Sequence, residues 1–255
     1  MYAFVVAAVV LACVFGGALL GRFLRVRLPD RHLGEDSKDI VKLAIGVVAT
    51  MAALVLGLLV SSAKGSFDRM GDELTQTAAK VVELDRVLLQ YGTETAPMRA
   101  GLRRNYGAVV DALMSQHESR LAQIQNPGAN GRIESLASAI RELVPRDDAQ
   151  RELRTHAAAL AQDLNASRWL LVLQRHDSIS TPLLVVVVSW LTLIFVGFGL
   201  FTPPHNATVV VALFLCALSV SGAIFLILEM DDPLTGVVRI SDVPMRRALD
   251  LIVAD

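Results

Sequence analysis

Small and weakly polar residues recur at intervals of three and four along one apolar stretch of the chain, between residues 46 and 64. This spacing places them on one face of an α-helix. A face of this kind, repeated around an axis, could form the wall of a path for ions. Close packing between membrane helices also uses small residues and is the alternative interpretation. The face consists of Gly46, Thr50, Ala53, Gly57, Ser61 and Lys64.

Two other groups of residues could attract ions. Glu229, Asp231 and Asp232 follow a later apolar segment, and carboxylate oxygens are the ligands of hard cations such as calcium. A polar helix end terminated by Pro233 is the simpler interpretation of this cluster. Lys64 could belong to a basic ring that attracts anions, or it could extend toward lipid headgroups.

The remaining chemistry-bearing residues predict neither an enzyme nor a metal centre. The five histidines share no metal-ligand spacing. Cys13 and Cys216 lie in apolar segments, which is typical of buried thiols. No nucleophile elbow, phosphate-binding loop or dinucleotide-binding motif occurs. We therefore expect no enzymatic activity and no cofactor beyond calcium, and the net charge of −1 predicts no nucleic-acid partner.

Four apolar segments are long enough to cross a bilayer, which takes about 20 residues in helical form. The 255-residue chain is 53% hydrophobic and has a mean hydropathy of +0.50, values that are unusual for a soluble domain. No charged residue lies deep in any segment, which argues against ion-coupled transporters and voltage sensors. The segments are Tyr2–Phe23, Val41–Ala63, Pro182–Phe201 and Ala207–Glu229.

The polar region between the second and third segments has helical periodicity and no strand alternation. A heptad pattern that starts at Phe67 extends the second membrane helix to Tyr91, where Gly92 ends it. The composition of Gln125–Gly131 predicts a loop. The other predicted helices are Pro97–Gln123, Arg132–Val144 and a long helix capped by Asp147 or Asp148.

These patterns predict an all-α membrane protein with four transmembrane helices and a helical insert between the second and third. Residues 1–64 hold the first two membrane helices and a basic connecting loop. Residues 65–181 form a polar helical bundle, residues 182–229 a hairpin of two membrane helices, and residues 230–255 a C-terminal tail.

Short motifs in this layout resemble the bestrophins. The sequence LVLGLLV (Leu54–Val60) followed by SFDR (Ser66–Arg69) resembles their pore helix and its exit. LEMDDPL (Leu228–Leu234) resembles the acidic segment after their fourth membrane helix. The tail GVVRISDVPMRRAL (Gly236–Leu249) is similar to that of bacterial bestrophin-like membrane proteins. Met70-Gly71 stands where bestrophins have a tryptophan pair.

Bestrophins are pentameric ion channels whose second membrane helix lines the pore through a hydrophobic neck. The resemblance therefore implies a passive ion channel, a homo-oligomer and specifically a pentamer, with membrane lipids and inorganic ions as partners. It places the neck at Thr50, Leu54 and Leu58. It also implies a bacterial plasma membrane location, with the helical insert and both termini in the cytoplasm. A non-conducting scaffold or sensory membrane protein with a helical-bundle domain is the alternative function.

Overall fold

A computed structural model describes residues 2–27, 35–114, 127–173, 181–202, 207–231 and 236–253 of the chain. Within these ranges the chain is almost entirely helical and contains no strand. Each predicted membrane segment lies within one observed helix. The α-helices are α1 Tyr2–Arg27, α2 Glu35–Tyr91, α3 Ala96–Met114, α4 Pro127–Glu142, α5 Asp148–Leu173, α6 Thr181–Phe201, α7 Ala207–Asp231 and α8 Val243–Val253.

Four of these helices, α1, α2, α6 and α7, are long and apolar enough to cross a membrane. The predicted all-α membrane architecture with four spans is confirmed. The chain forms two compact units. The first, called the membrane unit here, comprises Met1–Phe67 and Asp177–Val238. The second, the bundle unit, comprises Asp68–His176 and Arg239–Asp255.

In the membrane unit, α1 and α6 cross with their backbones in contact. A Cβ atom added at Gly21 would lie 2.0 Å from the carbonyl oxygen of Val196. A Cβ atom added at Gly199 would lie 2.0 Å from the carbonyl oxygen of Ala18. Because glycine has no side chain, it permits this close approach, which gives membrane helices their van der Waals contact.

The other two spans complete the core of the membrane unit. On α7, the buried Ser221 hydroxyl donates a hydrogen bond of 2.6 Å to the Ala7 carbonyl of α1. On α2, the side chains of Ala52, Leu59 and Ala63 are buried in the same apolar core. These three residues are spaced by seven and four, so they lie on one side of the helix.

In the bundle unit, most of the heptad residues of α2 are buried by the chain's own helices, while Met70 and Thr77 are half-buried. Val81, Leu84 and Leu88 are at most 4% exposed. The helix ends at Tyr91, and Gly92 follows with a φ of 141°, a conformation that favours glycine. The predicted end of α2 is confirmed. Most of the heptad positions of α2 are packed against helices of the same chain.

Two predictions about the other bundle helices have different outcomes. Asp147 caps α5, because its Oδ1 accepts the Gln150 backbone N–H over 2.7 Å. The predicted loop Gln125–Gly131 is wrong from Pro127 onward, where α4 begins. Proline fits the first turn of a helix because its missing N–H would have no partner there. The predicted end of α3 lies outside the described residues.

The C-terminal helix α8 packs on α3. Met245, Ala248 and Ile252 form its buried side, and the Tyr106 hydroxyl of α3 donates to the Met245 carbonyl over 3.3 Å. Burial raises the pKa of Tyr106 to about 12, because the ionised hydroxyl would lose its contact with water.

Candidate pore-lining face

The membrane-crossing part of α2 is covered less by its own chain than the other spans. Of its most apolar window, 11% of residues are buried, compared with 33% for α1 and α6 and 22% for α7. No charged residue lies between Leu43 and Ala63. An uncharged and largely uncovered helical surface of membrane length is therefore available to contact lipid, water or another copy of the chain.

All residues of the predicted face, called the small-residue stripe from here on, are exposed. A Cβ atom added at Gly46 or Gly57 would meet no atom within 4 Å. Within the described part of the chain, the stripe is therefore not packed against helices of its own subunit. The stripe comprises Gly46, Thr50, Ala53, Gly57, Ser61 and Lys64.

The neck positions implied by the resemblance also lie on the exposed surface of α2. Leu54 is 77% exposed and Leu58 is 63% exposed. The Thr50 hydroxyl donates to the Val47 carbonyl over 2.7 Å, so its proton is used within the helix while its oxygen can still accept a hydrogen bond. This surface of α2 therefore carries two bulky apolar side chains and, at Thr50, one weak hydrogen-bond acceptor.

The neighbouring spans expose large apolar side chains, which are typical of contact with lipid tails, and α2 does so as well. Small residues are also exposed on those spans, for example Gly16 on α1 and Gly222 on α7. What distinguishes α2 is therefore the low burial of its apolar window rather than the presence of exposed small residues. The large exposed side chains include Phe4, Val9 and Leu20 on α1, and Phe214, Leu215 and Leu218 on α7.

Two of the three acidic residues at the end of α7 lie within the described residues. Glu229 is only 6% exposed, and its Oε2 accepts the backbone N–H of Val237. This hydrogen bond holds the start of the C-terminal tail against α7. Asp231 is half-buried, and Asp232 lies outside the described residues. In the part of the chain that the structure describes, no group of three or more His, Cys, Asp or Glu could hold a metal ion.

The structure also gives the surroundings of Lys64 and of the two cysteines in the membrane unit. The Lys64 Nζ lies 5.7 Å from the centroid of the Phe67 ring, a cation–π distance. Cys13 and Cys216 are exposed in the chain, so the prediction of buried thiols is wrong. Cysteine behaves as a small apolar side chain, which suits the outward sides of α1 and α7.

Sequence reasoning missed a buried ion cluster in the bundle unit. The Asp85 carboxylate is fully buried and accepts two hydrogen bonds from the Arg99 guanidinium, at 3.0 and 2.7 Å. Arg103 lies 3.5 Å from the same carboxylate. A signal was present, because Asp85 directly follows the buried heptad residue Leu84 and so interrupts the apolar side of α2.

One protein family matches the sequence over most of its length. Its sequence model, described as Bestrophin-like domain, matches residues 12–245. The chain belongs to the bestrophin-like family. No curated protein and no solved structure matches the chain.

The match confirms the resemblance that the short motifs predicted. In this bestrophin-like protein the matched residues include the whole small-residue stripe, Leu54, Leu58 and Glu229. They end at Met245, the buried residue of α8 that accepts the Tyr106 hydrogen bond. Family membership and the four long apolar helices together establish a membrane protein.

Proposed function

We propose that this bestrophin-like protein is a passive ion channel, assembled from several copies whose α2 helices line a central pore. The observation that carries the proposal is the small-residue stripe, which is uncharged from Gly46 to Ser61 and uncovered by its own chain. A pentamer in the bacterial plasma membrane, with the bundle unit and both termini in the cytoplasm, is the assembly that the resemblance to bestrophins favours.

The low burial of α2 supports a neighbour outside its own chain. Large apolar residues such as Leu, Ile, Phe and Val favour insertion into the bilayer, whereas glycine and hydroxyl residues gain little there. Small residues are exposed on α1 and α7 as well, but the apolar window of α2 is the least buried of the four spans. A surface of small residues on such a helix suits water or a close neighbour of protein.

A ring of copies would turn this surface into a channel wall. Closed cyclic symmetry points the same face of every subunit toward one axis. Thr50, Gly57 and Ser61 would leave room for water around that axis, whereas Leu54 and Leu58 would form narrow apolar rings. Hydrophobic constrictions of this kind can gate ion flow by dewetting.

The absence of charge within the spans supports passive conduction. Coupled transporters place ionisable groups near the middle of the membrane, and voltage sensors carry rows of arginine. None of the four apolar segments has such a residue in its central part. Lys64, at one end of the stripe, would add a positive charge from every subunit near one mouth of the pore.

Single-channel recording from purified protein in planar bilayers tests the proposal. Leu54→Ala or Leu58→Ala removes a bulky side chain from the constriction, so we expect a higher conductance or a higher open probability. Leu193→Ala is the matched control, because Leu193 is 61% exposed but lies on α6. It should leave the currents unchanged.

Several results would contradict the channel proposal. The absence of current from the wild type and from both α2 variants would favour the non-conducting scaffold. An equal effect of Leu193→Ala would show that the change in current does not arise at α2. A protein mass in detergent of one 27.5 kDa chain, rather than a multiple of it, would exclude a shared central pore.

A further inference from the structure

The membrane-crossing part of α2 is buried by its own chain on one side only. Ala52, Leu59 and Ala63 lie in the core of the membrane unit. On the same side, Ile45 lies against Gly197 of α6, where a side chain would have no room. Because successive residues of an α-helix are rotated by about 100°, this side is one part of the circumference. The rest of the circumference is left to neighbours outside the chain.

The side of α2 opposite the buried one is the face assigned to the pore. A residue two positions from a buried residue lies across the helix from it. Thr50 and Leu54 have this relation to Ala52, and both are exposed. Ser61 has the same relation to Leu59 and is exposed as well. A pore therefore accounts for this side, but not for the two flanks that lie between it and the core.

The two flanks of α2 differ in side-chain size at the same height along the helix. Each flank is a row of residues spaced by three and four, and corresponding members of the two rows are two residues apart, which is about 3 Å along the axis. One row, called the small flank, consists of Gly46, Ala49 and Ala53. The other row, called the bulky flank, consists of Val48, Met51 and Val55.

Both flanks are incompletely covered by the chain itself. Gly46 and Ala53 are exposed, and a Cβ atom added at Gly46 would meet no atom within 4 Å. On the bulky flank, Met51 is 48% exposed. The other three members are half-buried, because they pack against the edge of the core. The apolar core of the membrane unit therefore ends at two surfaces that a further helix could contact.

We infer that the bulky flank of α2 in one copy of the chain packs against the small flank of α2 in the next copy. This packing presupposes the proposed function, since it requires copies arranged around an axis, and it adds the surfaces that join them. Cyclic symmetry brings two different surfaces of neighbouring subunits together, so each copy uses one flank on either side.

The sizes of the side chains favour this pairing over the contact of identical flanks. Membrane helices associate through van der Waals packing, and small residues let the neighbouring helix approach closely. Two bulky flanks would hold the helices apart, and two small flanks would leave gaps between them. A bulky row against a small row at the same height fills the space without separating the backbones.

Disulfide cross-linking of the full-length protein in liposomes tests this contact. Met51→Cys and Ala53→Cys are combined in a chain whose Cys13 and Cys216 are replaced by alanine, and the products of copper phenanthroline oxidation are separated on a non-reducing gel. The two cysteines point to opposite sides of one helix, so they cannot bridge within it. Because a disulfide requires Cα atoms within about 7 Å, we expect a ladder of multiples of 27.5 kDa.

Two controls establish that the ladder reports this pairing. Met51→Cys or Ala53→Cys alone should remain a single chain on the gel, because a ring does not bring identical flanks together. Met51→Cys combined with Leu193→Cys should also give no ladder. Leu193 is 61% exposed but lies on α6, away from both flanks.

Added bulk on the small flank provides a second measurement. Ala53→Phe fills the space that the neighbouring bulky flank would occupy, so the protein mass in detergent should fall toward that of one chain. Val211→Phe is the control, because Val211 is 57% exposed on α7, and it should leave the mass unchanged. Equal masses for the two variants would contradict the pairing.

The cross-linking results can also overturn the inference. A dimer from either single variant would show that identical flanks meet. No ladder from the double variant, although the protein mass is still a multiple of one chain, would show that other surfaces join the copies and that lipid covers the flanks. That result leaves the channel proposal intact, whereas a ladder from a protein without current would support the pairing and contradict conduction.

Discussion

At the scale of single residues, the same amino acid has opposite surroundings on different membrane helices. Gly21 of α1 and Gly199 of α6 lie against carbonyl oxygens of the partner helix, whereas Gly46 and Gly57 of α2 face open space. Sequence spacing identified the second pair and missed the first. Spacing shows which residues share a face, but it does not show which faces meet within a chain.

This difference predicts opposite effects of alanine. Gly21→Ala or Gly199→Ala would force a methyl group to within 2.0 Å of a carbonyl oxygen, so the helices must move apart. We expect a loss of about 1–3 kcal/mol in unfolding free energy, as for other overpacked sites. Thermal unfolding of the purified protein in detergent measures it as a lower melting temperature.

Gly57→Ala is the matched control for those variants. Its methyl group meets no atom within 4 Å in the chain, and alanine is the better helix former. The melting temperature should stay the same or rise. A fall as large as that of Gly21→Ala would indicate that Gly57 packs tightly against a neighbouring copy, with no room for water at that level.

At the scale of elements, the sequence predicted the long helix and its end, but not its buried charge. The heptad pattern predicted the length of α2, and Gly92 predicted where it ends. Both are local signals, one of periodicity and one of backbone conformation. The burial of Asp85 depends on its ion pairs with Arg99 and Arg103, and these residues approach it only when α3 folds back along α2. The loop predicted at Gln125–Gly131 failed for another reason, since Pro127 is compatible with both a turn and the start of a helix.

The buried cluster predicts a large effect of a small substitution. Asp85→Asn keeps the shape of the side chain but removes the negative charge that Arg99 and Arg103 approach, in a site where the carboxylate side chain is 1% exposed. We expect a loss of about 3–5 kcal/mol in unfolding free energy, the usual cost of breaking a buried ion pair from one side.

Asp163→Asn provides the comparison in the same unit. Asp163 pairs with Lys80 at 3.0 Å, but its side chain is 60% exposed, so water replaces most of the lost interaction. The change should stay below about 1 kcal/mol. Denaturant unfolding followed by circular dichroism ranks the two variants, and similar midpoints would show that the Asp85 cluster contributes little to stability.

At the scale of the whole molecule, the order of apolar and polar segments predicted the layout of four spans, because membrane helices must satisfy their backbone hydrogen bonds internally and reach a fixed length. The function depends on a property of the assembly, namely what lies opposite the small-residue stripe. The chain leaves that face uncovered, and the apolar window of α2 is the least buried of the four spans. If α2 lines a pore as proposed, water or another copy of the chain is the expected neighbour.

Chemical accessibility distinguishes water from lipid or protein at this face. Thiols react as thiolates, which form in water and not in hydrocarbon. Thr50→Cys and Ser61→Cys, each made in a chain with Cys13 and Cys216 replaced by alanine, should react with a charged, membrane-impermeant methanethiosulfonate in liposomes. Because Leu54 and Leu58 lie between the two positions, a closed neck would make each cysteine reactive from only one side of the membrane.

The wild-type chain is the internal control for this experiment. Cys13 and Cys216 are exposed in the chain, like the residues of the stripe, but they lie on α1 and α7, which the proposed pore does not use, so lipid should protect them. If Ser61→Cys and Thr50→Cys were as unreactive as the native cysteines, the stripe would contact lipid or protein along its length, and α2 would not line an aqueous pore. A gated pore requires that both cysteines react, each from a different side of the membrane, because Leu54 and Leu58 close the path between them.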